Sequence, residues 1–256
     1  MTAALLQIRG MTVNFGGLKA VAELNLDLDV GMLAGLIGPN GAGKTTVFNA
    51  ITGVYAPVSG SILLGGRPIQ GQGTNAIAAR GVARTFQSSR LFPDLTCLDN
   101  VRIACHLHCR LGLWDSMVRS KRSVEEEAAI LRRSEELLEA FGLTSHRDHE
   151  ARNLPYGEMR RLEIARAVAA EPKLLLLDEP AAGMNPQETK ALMRLIRDIR
   201  DRYRLTVLLI EHDMRVVMGI CERITVLDHG VKIAEGPPEA IRKDSKVVEA
   251  YLGESA

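Results

Sequence analysis

Leu24, Leu26, Leu28 and Val30 alternate with Glu23, Asn25, Asp27 and Asp29, so one face is apolar and the other polar. That period predicts a half-buried antiparallel strand inside a strand-rich stretch over 5–37. Met32 to Ile37 is apolar without interruption, as in a strand covered on both faces. A glycine-rich turn follows, then a short helix from Lys44 to about Thr52 that stops at Gly53. Apolar runs flanking Gly65-Gly66 predict a hairpin over 60–70, and Val82 to Phe86 reads as a short strand.

From 97 to 170 the period becomes helical almost throughout. Ser123 and Glu126 have capping-box spacing, Glu125 to Glu127 suit a positive helix end, and this helix should run to Phe141 and stop at Gly142. From Lys173 buried strands return, at Leu174 to Leu177 and at Thr206 to Ile210. Between them, Asn185-Pro186 with Glu188 starts a helix to about Tyr203. Met214 to Cys221 reads as helix. A hairpin over Ile224 to Leu227 and Val231 to Ala234 turns at Asp228-His229-Gly230, and short helices follow at Pro238 to Arg242 and Val247 to Leu252. Buried strands alternating with helices imply a mostly parallel α/β core. The helical stretch lies between two core strands, so it is expected as a subdomain over about 88–170 of a single domain, 1–256, with a C-terminal tail over about 236–256. No internal repeat is evident.

Composition narrows the classes. With 256 residues, 46% hydrophobic and 25% charged, the chain is globular, and at about 150 residues per domain it makes one large or two small ones. Lys and Arg number 32 against 31 for Asp and Glu, a balance that gives no electrostatic case for nucleic-acid binding. Mean hydropathy is +0.01 and no apolar run approaches about 20 residues, so no transmembrane helix is expected. The N-terminus lacks the regions of a signal peptide, and four scattered cysteines point to free thiols in a reducing cytosol.

Gly38-Pro39-Asn40-Gly41-Ala42-Gly43-Lys44-Thr45, with Thr46 next, fits the Walker A pattern between a buried strand and a helix. The glycines let backbone N–H groups curl around an anion without Cβ clashes, and the helix start offers free donors. Lys44 is placed to reach the β- and γ-phosphates, and the Thr45 hydroxyl to ligate Mg²⁺. Leu174-Leu-Leu-Leu-Asp178-Glu179 sets two carboxylates at the C-terminal end of a buried strand, where ligands of α/β sheets gather. Asp178 is then the Mg²⁺-side carboxylate and Glu179 the general base for an attacking water, hence hydrolysis. A small-molecule kinase would instead need an acceptor site.

With these motifs placed, the chain resembles the ATP-binding cassette (ABC) ATPases, a mostly parallel P-loop NTPase core with an antiparallel β subdomain and an inserted helical subdomain. The resemblance implies that Phe15, about 23 residues before Gly38, stacks on adenine. It implies that Gln87, in Arg84-Thr-Phe-Gln, is the loop glutamine that ligates metal and water. His212, in Ile210-Glu-His-Asp-Met, matches the switch histidine that orients the water with Glu179. Ala181 to Pro186 is similar to the D-loop, with Asn185 where aspartate is usual. The signature, which in the family binds ATP held by the other subunit of a head-to-tail dimer, departs from Leu-Ser-Gly-Gly-Gln: here it reads Leu154-Pro155-Tyr156-Gly157-Glu158. Pro155 removes a hydroxyl and an N–H, leaving the Gly157 N–H and the helix start. That loss points to a heterodimer with a second ATPase carrying an ordinary signature, a homodimer being the alternative.

The Tyr-Gly signature with Arg160-Arg-Leu-Glu-Ile-Ala-Arg, the Ala181 to Pro186 segment and the Ala250-Tyr-Leu-Gly-Glu ending are similar to ATPases of branched-chain and hydrophobic amino-acid importers, most of all the first of the two such importers carry. The alternatives are the ATPase of lipopolysaccharide export, which keeps a Ser-Gly-Gly signature, and a soluble non-transport ABC ATPase. The resemblance implies ATP and Mg²⁺, integral membrane permease subunits docking beside Ser88 to Leu98, and indirectly a solute-binding protein. It implies a peripheral location on the cytoplasmic face of the inner membrane. Cys105-His-Leu-His-Cys109 has zinc-ligand residue types, but on a helix its histidines point away from the cysteine face, so buried cysteines are expected. His146 and His149 are expected to be solvated, as is the basic Arg119, Lys121 and Arg122 group.

Overall fold

The computed structural model describes residues 4–87, 90–106 and 121–252. His108, Cys109, Arg119 and the docking residues 88–89 lie outside these, as does the Gly-Glu of the C-terminal motif. The chain divides into two compact units, Met1–Arg84 with Lys173–Ala256, and Thr85–Pro172.

The first unit opens with β1 (Ala4–Phe15) and β2 (Leu18–Asp29), an antiparallel pair. The alternation in β2 has its predicted effect: Leu24, Leu26 and Leu28 are buried. Val30 lies past the strand end and is exposed, because the chain turns at Gly31 before the inward position is reached. Next come β3 (Leu33–Ile37), α1 (Lys44–Ile51), β4 (Ser59–Leu64), β5 (Arg67–Pro68), α2 (Thr74–Ala79) and β6 (Val82–Arg84). A four-stranded sheet has the order β2-β1-β4-β5.

After the second unit the chain returns through β7 (Leu174–Asp178), a helix over Pro186–Tyr203, β8 (Thr206–Ile210) and a helix over Met214–Ile220. The hairpin β9 (Arg223–Asp228) and β10 (Val231–Gly236) follows, then helices over Pro238–Ile241 and Ser245–Leu252. The six-stranded sheet has the order β10-β9-β3-β8-β7-β6, parallel except for the β9–β10 hairpin. All five residues of each of β3, β7 and β8 are buried, as uninterrupted apolar strands require. The Pro186–Tyr203 helix starts with the expected capping box, Asn185 accepting from the Gln187 and Glu188 N–H groups.

The second unit contains α3 (Cys97–Cys105), α4 (Lys121–Ala140) and α5 (Tyr156–Ala169), with short 3-10 turns at Thr144–His146 and Ala151–Asn153. One sequence expectation fails here. Ser123 lies inside α4, so it makes no capping box with Glu126: the preceding Lys121 and Arg122 are good helix formers and extend the helix past the cap signal. The helix stop expected at Gly142 is present: that residue, at φ 67, follows α4, and a polar stretch of turns runs to Pro155. In that stretch the Cys97 and Leu98 N–H groups donate to the His149 and Arg147 carbonyls.

Fully buried Asn100 organises the turn before α3. Its Oδ1 accepts from the Phe92 N–H at 2.9 Å, and its Nδ2 donates to the Phe92, Leu95 and Thr96 carbonyls at 3.0, 3.3 and 3.0 Å. Asn100→Ala should lower the urea unfolding free energy by about 3 kcal/mol, since it strands several buried backbone groups at once. A change under about 0.5 kcal/mol would show that water replaces the amide without loss.

Candidate functional site

The chain leaves β3 at Ile37 and turns through 38–43 into α1. Gly38 has φ 150, and a Cβ there would stand 2.0 Å from the Leu227 carbonyl oxygen of β9. Gly43 has φ 97, with a Cβ position 2.5 Å from the Ala20 carbonyl oxygen. Both positions admit only glycine. The loop is propped from behind: the Gly230 N–H donates to the Ala42 carbonyl at 3.1 Å, and the Ala22 N–H to the Gly230 carbonyl at 2.8 Å. Gly43, the N-cap of α1, has no side chain to bond the first-turn N–H groups, so that helix end is built to meet an anion. Lys44 is buried, and its ammonium donates to the Gly38 and Pro39 carbonyls at 2.6 and 2.8 Å.

Asp178 ends β7 and is buried. The Arg84 guanidinium donates to its Oδ2 at 2.8 Å and to Asn49 Oδ1 at 2.6 Å, and stands 5.4 Å from the Phe48 ring centroid. Arg84 therefore ties the carboxylate strand to the helix that begins with Lys44 and Thr45. It belongs to no motif, and sequence reasoning missed it.

Glu179 follows at φ 47, a left-handed conformation that side chains adopt at a cost. Its N–H donates to the Ile210 carbonyl at 2.9 Å, which holds the strained turn against β8. His212 Nδ1 stands 3.7 Å from Glu179 Oε2, so the two are neighbours without a direct hydrogen bond. His212 is 60% exposed and Glu179 19%.

Glu211, also missed, lies between them. It is 1% exposed, accepting from the Ala181 N–H at 2.8 Å and the His212 N–H at 3.3 Å. It thereby joins the segment after Glu179 to the residue that bears the imidazole. A cavity of about 350 Å³ opens beside this join, lined by Ala181, Met184, Lys190, Glu211, His212 and Arg215 among others.

Phe15, at the end of β1, is 43% exposed and packs edge-on against Tyr55, with centroids 5.0 Å apart. Tyr55 carried no sequence signal because its partner lies forty residues away in the chain.

Gln87 and residues 154–158 belong to the 85–172 unit. Leu154 is buried, Pro155 is the N-cap of α5 at φ −54 and ψ 149, and Tyr156 is its first residue, 45% exposed. Pro155 therefore precedes the helix proper, where its missing N–H breaks no intrahelical bond. Glu158 Oε2 stands 3.2 Å from His146 Nε2, so His146 is half-buried in an ion-pair position, correcting its expected solvation. His149 packs edge-on against it at 5.1 Å. Cys97, Cys105 and Cys221 are buried free thiols, and burial pushes Cys97 up to about 11 and Cys221 up to about 12.

The site also fits a magnesium ion by its chemistry. Thr45 and Asp178 supply only hard oxygen donors, and no group of three or more His, Cys, Asp or Glu among the described residues could cage a metal. A metal completed by phosphate oxygens and water suits that donor set.

Burial raises the Glu211 carboxyl above its ordinary value, outweighing the N–H groups of Ala181 and His212 that favour the charge. A raised folded-state value means this group stabilises the fold fully below the ordinary glutamate range, and that contribution is lost as pH rises to the raised value. Glu211→Gln should flatten the unfolding free energy across that pH window. An unchanged pH profile would show that Glu211 titrates alike folded and unfolded.

Comparison with known proteins agrees with this layout. The family described as ABC transporter matches residues 21–182, and that described as branched-chain amino acid ATP-binding cassette transporter matches 231–256. The chain is 46% identical to the high-affinity branched-chain amino acid transport ATP-binding protein LivG of Escherichia coli (strain K12), covering 100% of both chains. It is 44% identical to BraF, named in the same terms, of Pseudomonas aeruginosa, again over 100% of both. The lipopolysaccharide export system ATP-binding protein LptB of Haemophilus influenzae is 34% identical over 98% of each chain. A crystal structure of an ATP-binding cassette of an ABC transporter in its ADP conformation superimposes with a TM-score of 0.84 at 27% identity, covering 98% of this chain and 100% of that one. A full-length relative at 46% identity and a family match across the loop, both carboxylates and strands β3 and β7 settle the matter: this chain belongs to the ABC transporter ATP-binding family.

Proposed function

We propose that this chain is the ATP-hydrolysing subunit of an ABC importer for branched-chain or other hydrophobic amino acids. The observation that carries the enzymatic part is the placing of Glu179 and His212 at the edge of the sheet from which the Gly38–Thr45 loop emerges. The amino-acid cargo is supported by full-length relatives and by the C-terminal match. The lower identity to the lipopolysaccharide export protein favours import.

In this reading the loop N–H groups from Gly38 to Thr46 and the Lys44 ammonium hold the ATP phosphates, while Phe15, braced by Tyr55, stacks on adenine. Thr45 and Asp178, with Gln87, would hold Mg²⁺, which would supply positive charge to offset that of the phosphates. Glu179 accepts a proton from the water that attacks the γ-phosphorus, and His212 hydrogen-bonds the γ-phosphate. ADP leaves with the bridging oxygen.

No helix of the described residues is long and apolar enough to cross a membrane. The path therefore comes from permease subunits, with this chain on the cytoplasmic face and a solute-binding protein acting indirectly.

Glu179→Gln should bind ATP normally and lose about 10²–10⁴-fold in turnover, the range of a positioned general base. Calorimetry and phosphate release check both halves, and unchanged turnover removes Glu179 from the role. Phe15→Ala should weaken ATP binding by about 1–3 kcal/mol with the single-turnover rate at saturating ATP preserved, since stacking is uniform binding. A slowed single turnover counts against the stack.

Because this chain lacks the signature serine, we further propose a heterodimer in which the site built on Lys44 and Glu179 is the faster one. The glutamate-to-glutamine change, made in one ATPase subunit at a time, should cost more here than in the companion. Equal losses would argue for equivalent sites.

A further inference from the structure

A guanidinium has five N–H donors, and Arg160, only 6% exposed, uses all five within the 85–172 unit. Its Nε donates to Tyr156 Oη at 3.0 Å, and its Nη2 to the same oxygen at 2.8 Å and to the Gln87 carbonyl at 2.6 Å. Its Nη1 donates to the Phe86 carbonyl at 3.1 Å and to Glu163 Oε2 at 2.8 Å.

The next turns of α5 continue the grip. Glu163 Oε1 accepts from the Arg90 N–H at 3.2 Å, and Arg166 Nη1 donates to the Arg90 carbonyl at 2.6 Å. Residues 160, 163 and 166 share one helix face, so a single face holds the chain on both sides of the segment after Gln87. The hold is on main-chain atoms, so it fixes where the backbone of Gln87 sits whatever that side chain does.

Tyr156 is the exposed end of this network. A buried arginine that served only the core would have no need of an acceptor on a residue 45% exposed at a helix start. Two bonds to one phenolic oxygen, with the guanidinium 5.2 Å from the ring centroid, fix the ring's direction as well as its position.

We propose that Arg160 is a positioning residue that locks Tyr156, in the altered signature, to the backbone of Gln87, so that the two move together. This rests on the ATPase reading, in which Gln87 meets the nucleotide of its own site and the signature meets that of the partner. A displacement of Gln87 is then carried through a buried charge to the tyrosine that faces the opposite site. Arg160 is buried and reaches no nucleotide itself. The tyrosine that replaces the usual glycine becomes the receiving end of the linkage.

The test is a double-mutant cycle of Tyr156→Phe and Arg160→Lys in this chain within the purified assembled transporter, with Mg²⁺ and ATP as the probe. Tyr156→Phe keeps the ring and should keep the thermal midpoint. Each single variant should leave the calorimetric ATP dissociation constant within about twofold and lower turnover about tenfold. The double variant should lose about tenfold, no more than either single. Losses that multiply to about a hundredfold, or a dissociation constant that rises in step with the fall in turnover, would overturn the linkage. Should Arg160→Lys not fold, wild-type turnover in Tyr156→Phe alone would overturn it, and a loss at preserved ATP affinity would support it. A wild-type protein that neither binds nor hydrolyses ATP removes the ATPase reading itself, and shows this before any variant is compared.

Discussion

The register of three parallel strands fixes everything chemical in the first unit. β8 lies between β3 and β7, and its Ile210 stands opposite both Leu36 and Asp178. The residues one step further on are Ile37, Glu211 and Glu179, so three chain segments emerge at one level of one edge. A slip of one residue would turn every buried side chain of a strand to its other face. All fifteen positions of the three strands are buried, so the core enforces the register, and the register delivers the Gly38–Thr45 loop, Glu179 and His212 together.

What the edge delivers is refined by contacts that no local pattern shows. Walker A spacing, the acidic pair after a buried strand, the Asn185 cap and the alternation in β2 were legible because each is a rule about near neighbours. The Arg84–Asp178 pair spans 94 positions and the Glu211–Ala181 bond spans 30, so neither leaves a periodic trace. Arg84 entered only as the start of Arg84-Thr-Phe-Gln, and Glu211 only as part of a histidine motif. The errors have the same origin. Ser123 satisfied a four-residue cap rule while Lys121 and Arg122 before it are already helical. His146 looked solvated until Glu158, twelve positions on, folded back against it.

Glu179 shows how local strain and long-range support meet. A left-handed conformation at a non-glycine residue costs about 1–3 kcal/mol unless its surroundings over-determine it. Here they do: its N–H is tied to the Ile210 carbonyl, and the Ala181 N–H two residues later is tied to the buried Glu211 carboxylate. Both anchors come from β8 or the residue that directly follows it. The carboxylate that would take a proton and the imidazole that would face the γ-phosphate thus share one support, which explains how a residue 60% exposed can hold a defined place beside Glu179. Because glutamine adopts the same strained backbone at similar cost, an amide at this position changes proton affinity far more than shape.

The second unit is organised on a different principle. Its functional segments are held by buried charge and not by strand register. Arg160, Glu163 and Arg166 bind main-chain atoms on both sides of the segment after Gln87, and Asn100 does the same for the turn that follows. Buried polar networks of this kind tolerate no half-measures, since each lost partner strands another group away from water. Such a network transmits displacement better than an apolar contact, because hydrogen bonds constrain direction as well as distance. The loss of serine at Pro155 and the gain of a phenol at Tyr156 therefore belong together. In the proposed linkage the segment would give up a direct donor to a nucleotide, while its tyrosine is tied through Arg160 to the backbone of the Gln87 of its own chain.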